Sequence, residues 1–266
     1  MDDWRSYDGV AEVYERIHAP RFVEPARDLV RAADPQPGAR VLDVGTGTGI
    51  AALEAGALVG DDGLVVGIDD SIGMLEVGRR ARPHVRTLAA EAIDLPFRDA
   101  SFDTILGNFV LAHFTKYQTA LYDLLRVLRP RGRIAVNAWA DRQDELTRAW
   151  IESVWTVVPK EVLDPAIAEA IPWRDRFRSR ESLEETLMDA GLRHVQIQRR
   201  EYRFRYPLDE YVEGLGTWAV GRFVRSMLGE RGWGSFLQRV RADFGERFPD
   251  PVLDFREVLV AVGTKP

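Results

Sequence analysis

An apolar run that ends in three closely spaced glycines, Val41–Ile50, constrains the fold of this chain more than any other segment. Its first residues favour a buried strand, which carries one acid, Asp43. Gly45, Gly47 and Gly49 let the backbone bend sharply and lie against a ligand with no Cβ in the way. The helix that we predict after the last glycine directs its free N–H groups at this turn, which favours a polar or anionic ligand group there.

A second apolar run, Leu64–Ile68, ends in Asp69, 20 residues after Gly49. An acid at this distance from the turn suits a hydrogen bond to a ribose hydroxyl. The glycine turn and the acid together predict a cofactor that contains a nucleoside.

Two classes of cofactor use this arrangement, and the glycine spacing does not separate them. A dinucleotide such as NAD needs the pattern G-x-G-x-x-G/A. Read from Gly45 the pattern fails, because Ile50 takes the third place, but read from Gly47 it matches with Ala52. Asp43 favours the other class, because an acid buried late in the strand would face a cationic amino group more comfortably than a pyrophosphate.

The run Asp43–Gly49 resembles the first motif of class I S-adenosylmethionine (SAM) methyltransferases. Within that class the chain is similar to the ubiquinone/menaquinone-biosynthesis-like small-molecule methyltransferases. Four further segments continue the likeness in the expected order, so that it closely covers residues 41–139: Val66–Leu75, Ala90–Phe97, Ser101–Asn108 and Arg126–Ile134. Two residues depart from the family pattern, namely Glu91 in place of the usual Asp and Arg131 in place of a common Gly.

The resemblance implies that SAM is the cofactor and S-adenosylhomocysteine (SAH) its product. It places the ribose on Asp69, the adenine beside Met74, and the adenine amino group on Glu91. Asp70 is expected to cap the next helix with its side chain and to meet the adenine edge with its backbone. The complete set of residues for which a cofactor contact is expected is Tyr14, Asp43, Gly45, Thr46, Gly47, Gly49, Asp69, Asp70, Met74, Glu91, Ala92, Ile93, Asn108 and Phe109.

Two residues carry alternatives that the sequence leaves open. His113 follows the predicted fourth strand and is the candidate catalytic residue, either as a general base or as a positioning residue. A general base contributes about 10²–10⁴-fold, and only where the acceptor must lose a proton. Tyr14 lies in the leading helical segment, where the family often places a tyrosine near the methionine end of SAM. The same segment also has the pattern of an amphipathic helix that packs Tyr14 on the sheet.

Composition excludes several classes of function. A net charge of −6 gives no electrostatic reason to expect a nucleic-acid partner. The absence of cysteine excludes disulfides and thiolate zinc sites, and no cluster of His, Asp and Glu has metal-ligand spacing. No apolar run approaches the roughly 20 residues needed to cross a bilayer, and the N-terminus lacks the apolar core of a signal peptide. We therefore expect a cytoplasmic protein with no membrane partner, as a monomer or homodimer.

Strand and helix patterns alternate through residue 139, which is typical of a parallel sheet covered on both faces. We predict an α/β fold with a Rossmann-like, doubly wound, mostly parallel sheet of seven strands and helical lid insertions. A chain of 266 residues with 45% hydrophobic content fits one domain, 1–266. We divide it into N-terminal helices (1–34), a cofactor-binding core (35–140) and two lid segments (141–180 and 207–250).

The predicted lid is rich in tryptophan, since six of the seven tryptophans lie at position 139 or later. Ligands of open parallel sheets bind beyond the carboxyl ends of the strands, where the first lid segment begins. Trp139 and Trp173 are therefore expected to contact the substrate. The alternative is that the tryptophans hold the added helices together.

The function that these observations predict is SN2 transfer of a methyl group from SAM to a small, partly apolar metabolite, with oxygen or carbon as the acceptor. Secondary metabolism suits the enlarged aromatic lid. Two alternatives remain at this stage. A SAM-binding cyclase or regulator would have the same cofactor motifs, and an NAD-dependent oxidoreductase would use the second reading of the glycines.

Overall fold

A computed structural model describes residues 3–142 and 144–266. Its centre is a seven-stranded sheet in the order β3-β2-β1-β4-β5-β7-β6. The strands are β1 (Arg40–Val44), β2 (Leu64–Asp69), β3 (Arg86–Ala89), β4 (Phe102–Asn108), β5 (Leu128–Trp139), β6 (Arg193–Tyr206) and β7 (Val252–Thr264). The helices are α1 (Ala11–Ile17), α2 (Ala19–Ala33), α3 (Ile50–Val59), α4 (Ile72–Ala81), α5 (Tyr117–Val127), α6 (Glu145–Trp155), α7 (Lys160–Ala170), α8 (Arg180–Asp189), α9 (Leu208–Gly214) and α10 (Ala219–Arg247).

Strands β1 to β5 are parallel, and β7 runs antiparallel between β5 and β6. The strand order reverses between β1 and β4, because β2 and β3 extend the sheet on one side and β4 and β5 on the other. In sheets of this kind a crevice opens beyond the carboxyl ends of the strands at the point of reversal. This is the Rossmann-like, mostly parallel, seven-stranded fold that the sequence predicts.

Alternate residues of the central strands enter cores on opposite faces of the sheet. Val41 of β1 packs with α2 and α3 on one face, and Leu42 packs with α5 and α8 on the other. Because both faces are covered, nearly every residue of β1 is buried, which explains its continuous apolar run.

Helices α6, α7, α9 and α10, here called the added helices, lie in the two segments for which the sequence predicts a lid. Trp150 of α6 packs against Phe236 of α10 with the ring centroids 5.7 Å apart, so that the two segments meet in one apolar cluster. Pro165 lies inside α7, which continues to Ala170. Pro20 lies in the first turn of α2, where a backbone N–H, which proline lacks, would have no partner within the helix.

Among the described residues, no helix has both the length and the apolar character needed to cross a membrane.

The junction between the added helices makes a prediction about stability. Phe236 is 1% exposed and packs on Trp150, so Phe236→Ala should lower the free energy of unfolding by about 3–5 kcal/mol. Met227→Ala, ahead of the break in α10 at Gly229, is the matched control, because Met227 is 57% exposed and its loss should change stability by about 0.5 kcal/mol or less. Urea unfolding of the two variants checks this, and equal losses would contradict the packing described here.

Candidate functional site

The glycine turn lies between β1 and α3 and holds three left-handed residues. Gly45, Gly47 and Gly49 have φ angles of +64°, +55° and +93°, a region that other residues seldom adopt. A Cβ on Gly45 would lie 2.3 Å from Cγ2 of Val110, so the turn packs directly on the loop after β4. A Cβ on Gly47 would meet no protein atom within 4 Å. The backbone at Gly47 is therefore accessible to a ligand, as the sequence predicts.

Asp43 lies under the turn and is fully buried. Its Oδ2 atom accepts hydrogen bonds from Thr46 Oγ1 at 2.6 Å and from the Ala52 amide at 3.0 Å, so it joins the turn to α3. Its Oδ1 atom is buried and has no hydrogen-bond partner among the described residues. Burial raises the pKa of the Asp43 carboxyl to about 7. An unpaired carboxylate oxygen next to the turn fits a ligand that carries a cationic amino group.

Asp69 lies at the end of β2 and also holds the turn. Its Oδ2 atom accepts a hydrogen bond from the Gly47 amide at 2.7 Å, and its Oδ1 atom accepts one from the Ser71 amide at 2.9 Å. Burial raises the pKa of Asp69 to about 6. An ionised carboxylate has about four acceptor sites, so these two bonds leave room for a ribose hydroxyl, and the ribose contact stays a prediction.

The start of α4 is capped differently from the sequence prediction. Ser71, and not the side chain of Asp70, is the N-cap, because its Oγ accepts a hydrogen bond from the Met74 amide at 3.2 Å. Asp8 adds a second cap from the N-terminal segment, since its Oδ1 atom accepts bonds from Ser71 Oγ and the Gly73 amide, both at 2.7 Å. The hydrogen bond from Ser71 lowers the pKa of Asp8. Sequence analysis missed Asp8, because nothing local marks a contact 63 residues away.

The residues expected around the adenine lie at the same edge of the sheet. Met74 is buried against Tyr7 and Tyr14 of the N-terminal segment. Glu91 is exposed just beyond β3, and the next residues, Ala92 and Ile93, are half-buried there. Strand β3 pairs with β2, so all of these residues lie on the same side of the glycine turn, in an arrangement that fits an adenosine group.

The loop after β4 connects this cleft to a second space. Asn108 Oδ1 accepts a hydrogen bond from Asn137 Nδ2 at 2.9 Å, which fixes the end of β4 to β5. Phe109 has a left-handed φ of +61° and stacks on Trp139 with the ring centroids 4.0 Å apart. Such a backbone costs energy in a bulky residue and marks a position that the surroundings impose.

Beyond the carboxyl ends of β4 and β5 lies a cavity of about 220 Å³. Phe109, His113 and Trp139 line it from the sheet side, and Trp150 and Trp218 line it from the added helices. The cavity is thus aromatic on several sides. Trp173 lies outside its lining and packs edge-on against Tyr117 with the ring centroids 4.6 Å apart. Of the two tryptophans expected to contact a substrate, the structure places only Trp139 at this cavity.

His113 and Tyr14 both lie in buried surroundings. Burial, and after it the charge of Arg222, lowers the pKa of His113 to about 4, so its imidazole is neutral near pH 7. The ring of His113 faces Tyr7 with the centroids 6.0 Å apart.

Tyr14 packs among Tyr7, His18 and Phe22, and burial raises the pKa of its phenol above the usual range. These contacts agree with the packing alternative for Tyr14.

Comparison with known proteins relates the core to a known family. Residues 42–136 match the model of a family described as "Methyltransferase domain". The core is therefore similar to methyltransferase domains. The glycine turn, Asp43, Asp69 and the carboxyl ends of β2 to β4 all lie inside the matched segment, and the residues around the turn fit a SAM cofactor.

The similar sequences cover the same part of the chain. A demethylmenaquinone methyltransferase of Renibacterium salmoninarum is 44% identical over 110 residues, which are 41% of this chain and 45% of that protein. One from Symbiobacterium thermophilum is 36% identical over 137 residues, 48% of this chain and 55% of that protein. The chain therefore spans about half the length of the curated relatives it matches.

Solved structures are similar over most of the chain, at low identity. The YcgJ protein of Bacillus subtilis is 21% identical with a TM-score of 0.58, and the match covers 91% of this chain and 98% of that one. Phosphoethanolamine N-methyltransferase 2 of Haemonchus contortus, solved with phosphomonomethylethanolamine and SAH, is 17% identical with a TM-score of 0.60. That match covers 100% of this chain and 61% of that one. At such identities the likeness confirms the fold alone.

The buried Asp43 makes a prediction about pH. Its pKa is about 7 in the folded protein against an ordinary value of 3.8, so its contribution to stability is greatest below about pH 4 and is lost as the pH rises toward 7. Asp43→Asn removes this titration, and one amide oxygen can still accept the bonds from Thr46 and Ala52. As the pH rises from 4 to 8, the free energy of unfolding of the variant should increase relative to that of the unaltered protein by up to about 4 kcal/mol. Urea unfolding across this pH range measures the difference, and a constant difference would contradict the burial of a neutral carboxyl.

Proposed function

We propose that this protein transfers a methyl group from SAM to a small, partly apolar molecule, with oxygen or carbon as the acceptor. One observation carries the proposal: the cofactor turn and the aromatic cavity share the loop after β4. Val110 of that loop packs on Gly45 of the turn, and its neighbour Phe109 lines the cavity. A cofactor on the turn and an acceptor in the cavity would therefore lie on opposite sides of the same few residues.

The residues that would hold SAM are the backbone of the glycine turn, Asp43, Asp69, Met74 and Glu91. When bound, SAM supplies a methyl group already activated by its sulfonium, so the hard chemistry belongs to the cofactor. What the chain itself contributes is position and the exclusion of water. Holding two reactants in line supplies at most about 7–11 kcal/mol of the reduction in barrier. The aromatic walls keep competing water away from the acceptor.

A small acceptor follows from the size and the walls of the cavity. Its volume of about 220 Å³ is below the roughly 300–1,000 Å³ of sites for drug-sized ligands. Most of the lining residues lie outside the segment that matches the family, and seven of them belong to the added helices. We propose that residues 1–266 form one domain, in which these helices act as a lid over the acceptor.

His113 is better suited to positioning than to general-base catalysis. A general base is most effective when its pKa lies near the working pH, and the pKa of His113 is about 4. A neutral imidazole with that pKa is a weak proton acceptor but can still hydrogen-bond a hydroxyl. We therefore propose that His113 orients the acceptor, beside Tyr7 on the same wall of the cavity.

We further propose that the protein acts in the cytoplasm, as a monomer or homodimer and without nucleic acid. Its net charge of −6 supports the last point, because it would repel a polyphosphate chain. The absence of cysteine suits a reducing compartment, where disulfides rarely persist.

Calorimetry with SAM, SAH and NAD tests the cofactor. SAM and SAH should bind at micromolar affinity and NAD much more weakly. Asp69→Ala should weaken SAM binding by about 1.5–3 kcal/mol, the usual worth of a hydrogen bond to a charged group. Asp62→Ala, at an exposed acid ahead of β2, should leave SAM binding unchanged. A preference for NAD would refute the assignment in favour of an oxidoreductase.

The role of His113 can be separated from cofactor binding. Incubation of metabolites with isotope-labelled SAM, followed by mass spectrometry, identifies an acceptor. With that acceptor, His113→Ala should reduce kcat by about tenfold or more and leave SAM affinity unchanged. Because the pKa of His113 is about 4, the variant and the unaltered protein should have the same pH profile between pH 6 and 9. Loss of an acid limb, the fall in rate toward low pH, would show instead that His113 is the base, and failure to label any acceptor would favour a regulator or a non-methylating enzyme.

A further inference from the structure

One wall of the aromatic cavity is strongly basic. Four arginines line the cavity, and the only carboxylate among its lining residues is Glu257. The four arginines are Arg142, Arg174, Arg178 and Arg256. Arg199 already donates a hydrogen bond to the Glu257 Oε2 atom at 2.8 Å. The single acid of the lining therefore neutralises little of the positive charge.

Arg178 is the arginine with the poorest compensation. Its side chain is 23% exposed, and its Nε atom is buried with no hydrogen-bond partner among the described residues. Its ion-pair distances are long, 3.5 Å to Asp175 and 3.9 Å to Asp141, and both of those carboxylates are at least 80% exposed. Exposed pairs of this kind contribute little, so a buried donor and most of a positive charge remain available.

The neighbouring charges add to this excess. Asp175 also pairs with Arg174 at 3.2 Å, so one exposed carboxylate serves two guanidinium groups. Arg256 is paired with the buried Asp254 at 2.9 Å, and Asp144 adds a further negative charge near it. Burial and the charges of Arg174 and Arg256 together lower the pKa of Arg178. Because Asp254 and Asp144 compensate the charge of Arg256, the excess positive charge lies at Arg174 and Arg178.

The fourth arginine is engaged elsewhere. Arg142 is exposed, pairs with Glu201 at 3.6 Å, and lies over the ring of Phe255 at 4.3 Å. It therefore belongs to the rim of the cavity, and the basic wall is formed by Arg178 and Arg174, whose side chains are 23% and 42% exposed.

We propose that the methyl acceptor is an aromatic carboxylic acid, whose carboxylate binds Arg178 and Arg174 and whose ring lies against Trp139 and Trp218. This inference rests on the proposed function and names the class of its substrate. The planar guanidinium fork matches a carboxylate in geometry as well as in charge. The stacked pair of Phe109 and Trp139 meets Trp218 edge-on at 6.5 Å, which provides a flat wall for an aromatic ring.

A matched pair of probes tests the charge requirement on the unaltered protein. In the presence of saturating SAH, calorimetry compares 3-hydroxybenzoate with 3-hydroxybenzamide, which has nearly the same shape but no charge. The acid should bind at least about tenfold more tightly, because it gains charge-assisted hydrogen bonds. Equal binding, or tighter binding of the amide, would overturn the proposal. Tighter binding of phenyl phosphate than of the acid would overturn the choice of a carboxylate.

Substitutions locate the effect. Arg178→Gln should weaken 3-hydroxybenzoate binding by about ten- to a hundredfold and leave the amide unchanged, and Arg178→Lys should recover part of the loss. Arg148→Gln, at an exposed arginine of α6, is the matched control and should bind the acid normally. If Arg178→Gln does not fold, Arg174→Gln replaces it, with a loss of acid binding again expected. Unchanged acid binding in a folded variant would exclude the basic wall as the binding site.

The same titrations separate this inference from the proposed function. SAH affinity should be unaffected in every arginine variant, because these residues line the cavity and not the glycine turn. If the unaltered protein bound no SAH yet preferred the acid to the amide, the methyl-transfer proposal would fail while the basic acid-binding wall would stand. If it bound SAH but showed no preference for the acid, only the substrate class proposed here would fail.

Discussion

Two carboxylates, the buried Asp43 and the half-buried Asp69, hold the glycine turn, and the rest of the site depends on them. Asp43 accepts hydrogen bonds from Thr46 and Ala52, and Asp69 accepts one from Gly47. Burying a carboxylate is costly unless donors surround it, and burial raises the pKa of both acids despite their donors. The two acids come from the adjacent parallel strands β1 and β2, and both accept hydrogen bonds from the turn.

The geometry of the turn extends to the aromatic cavity through contacts between packed residues. Gly45 fits against Val110 with no room for a Cβ, and this contact fixes the loop after β4. The next residue back, Phe109, is held in a left-handed backbone and stacks on Trp139 of β5. A side chain at Gly45 would thus displace both the cofactor turn and the first aromatic wall of the cavity, which explains why a single loop can serve both sites.

The sequence predicted what is encoded locally. Alternating strand and helix patterns, the turn and the acid at 69 each depend on short stretches of chain, and the predicted seven-stranded sheet is confirmed. Contacts between distant segments were not predictable: Asp8 caps α4 from 63 residues away, and Arg178 and Arg256 line the same cavity because β7 pairs with β5. Tryptophan content indicated an aromatic cavity, but it did not distinguish Trp218, which lines the cavity, from Trp173, which packs on Tyr117.

The division between matched and unmatched sequence is also a division of roles. The segment 42–136 that matches the family contains the turn and its acids, whereas the basic wall and the three tryptophans that line the cavity lie after it. Similarity to methyltransferases is therefore informative about the cofactor and silent about an acceptor. The proposed acceptor must be inferred from the walls of the cavity, most of which lie outside the matched segment, and there the weakly compensated guanidinium of Arg178 is the most specific feature.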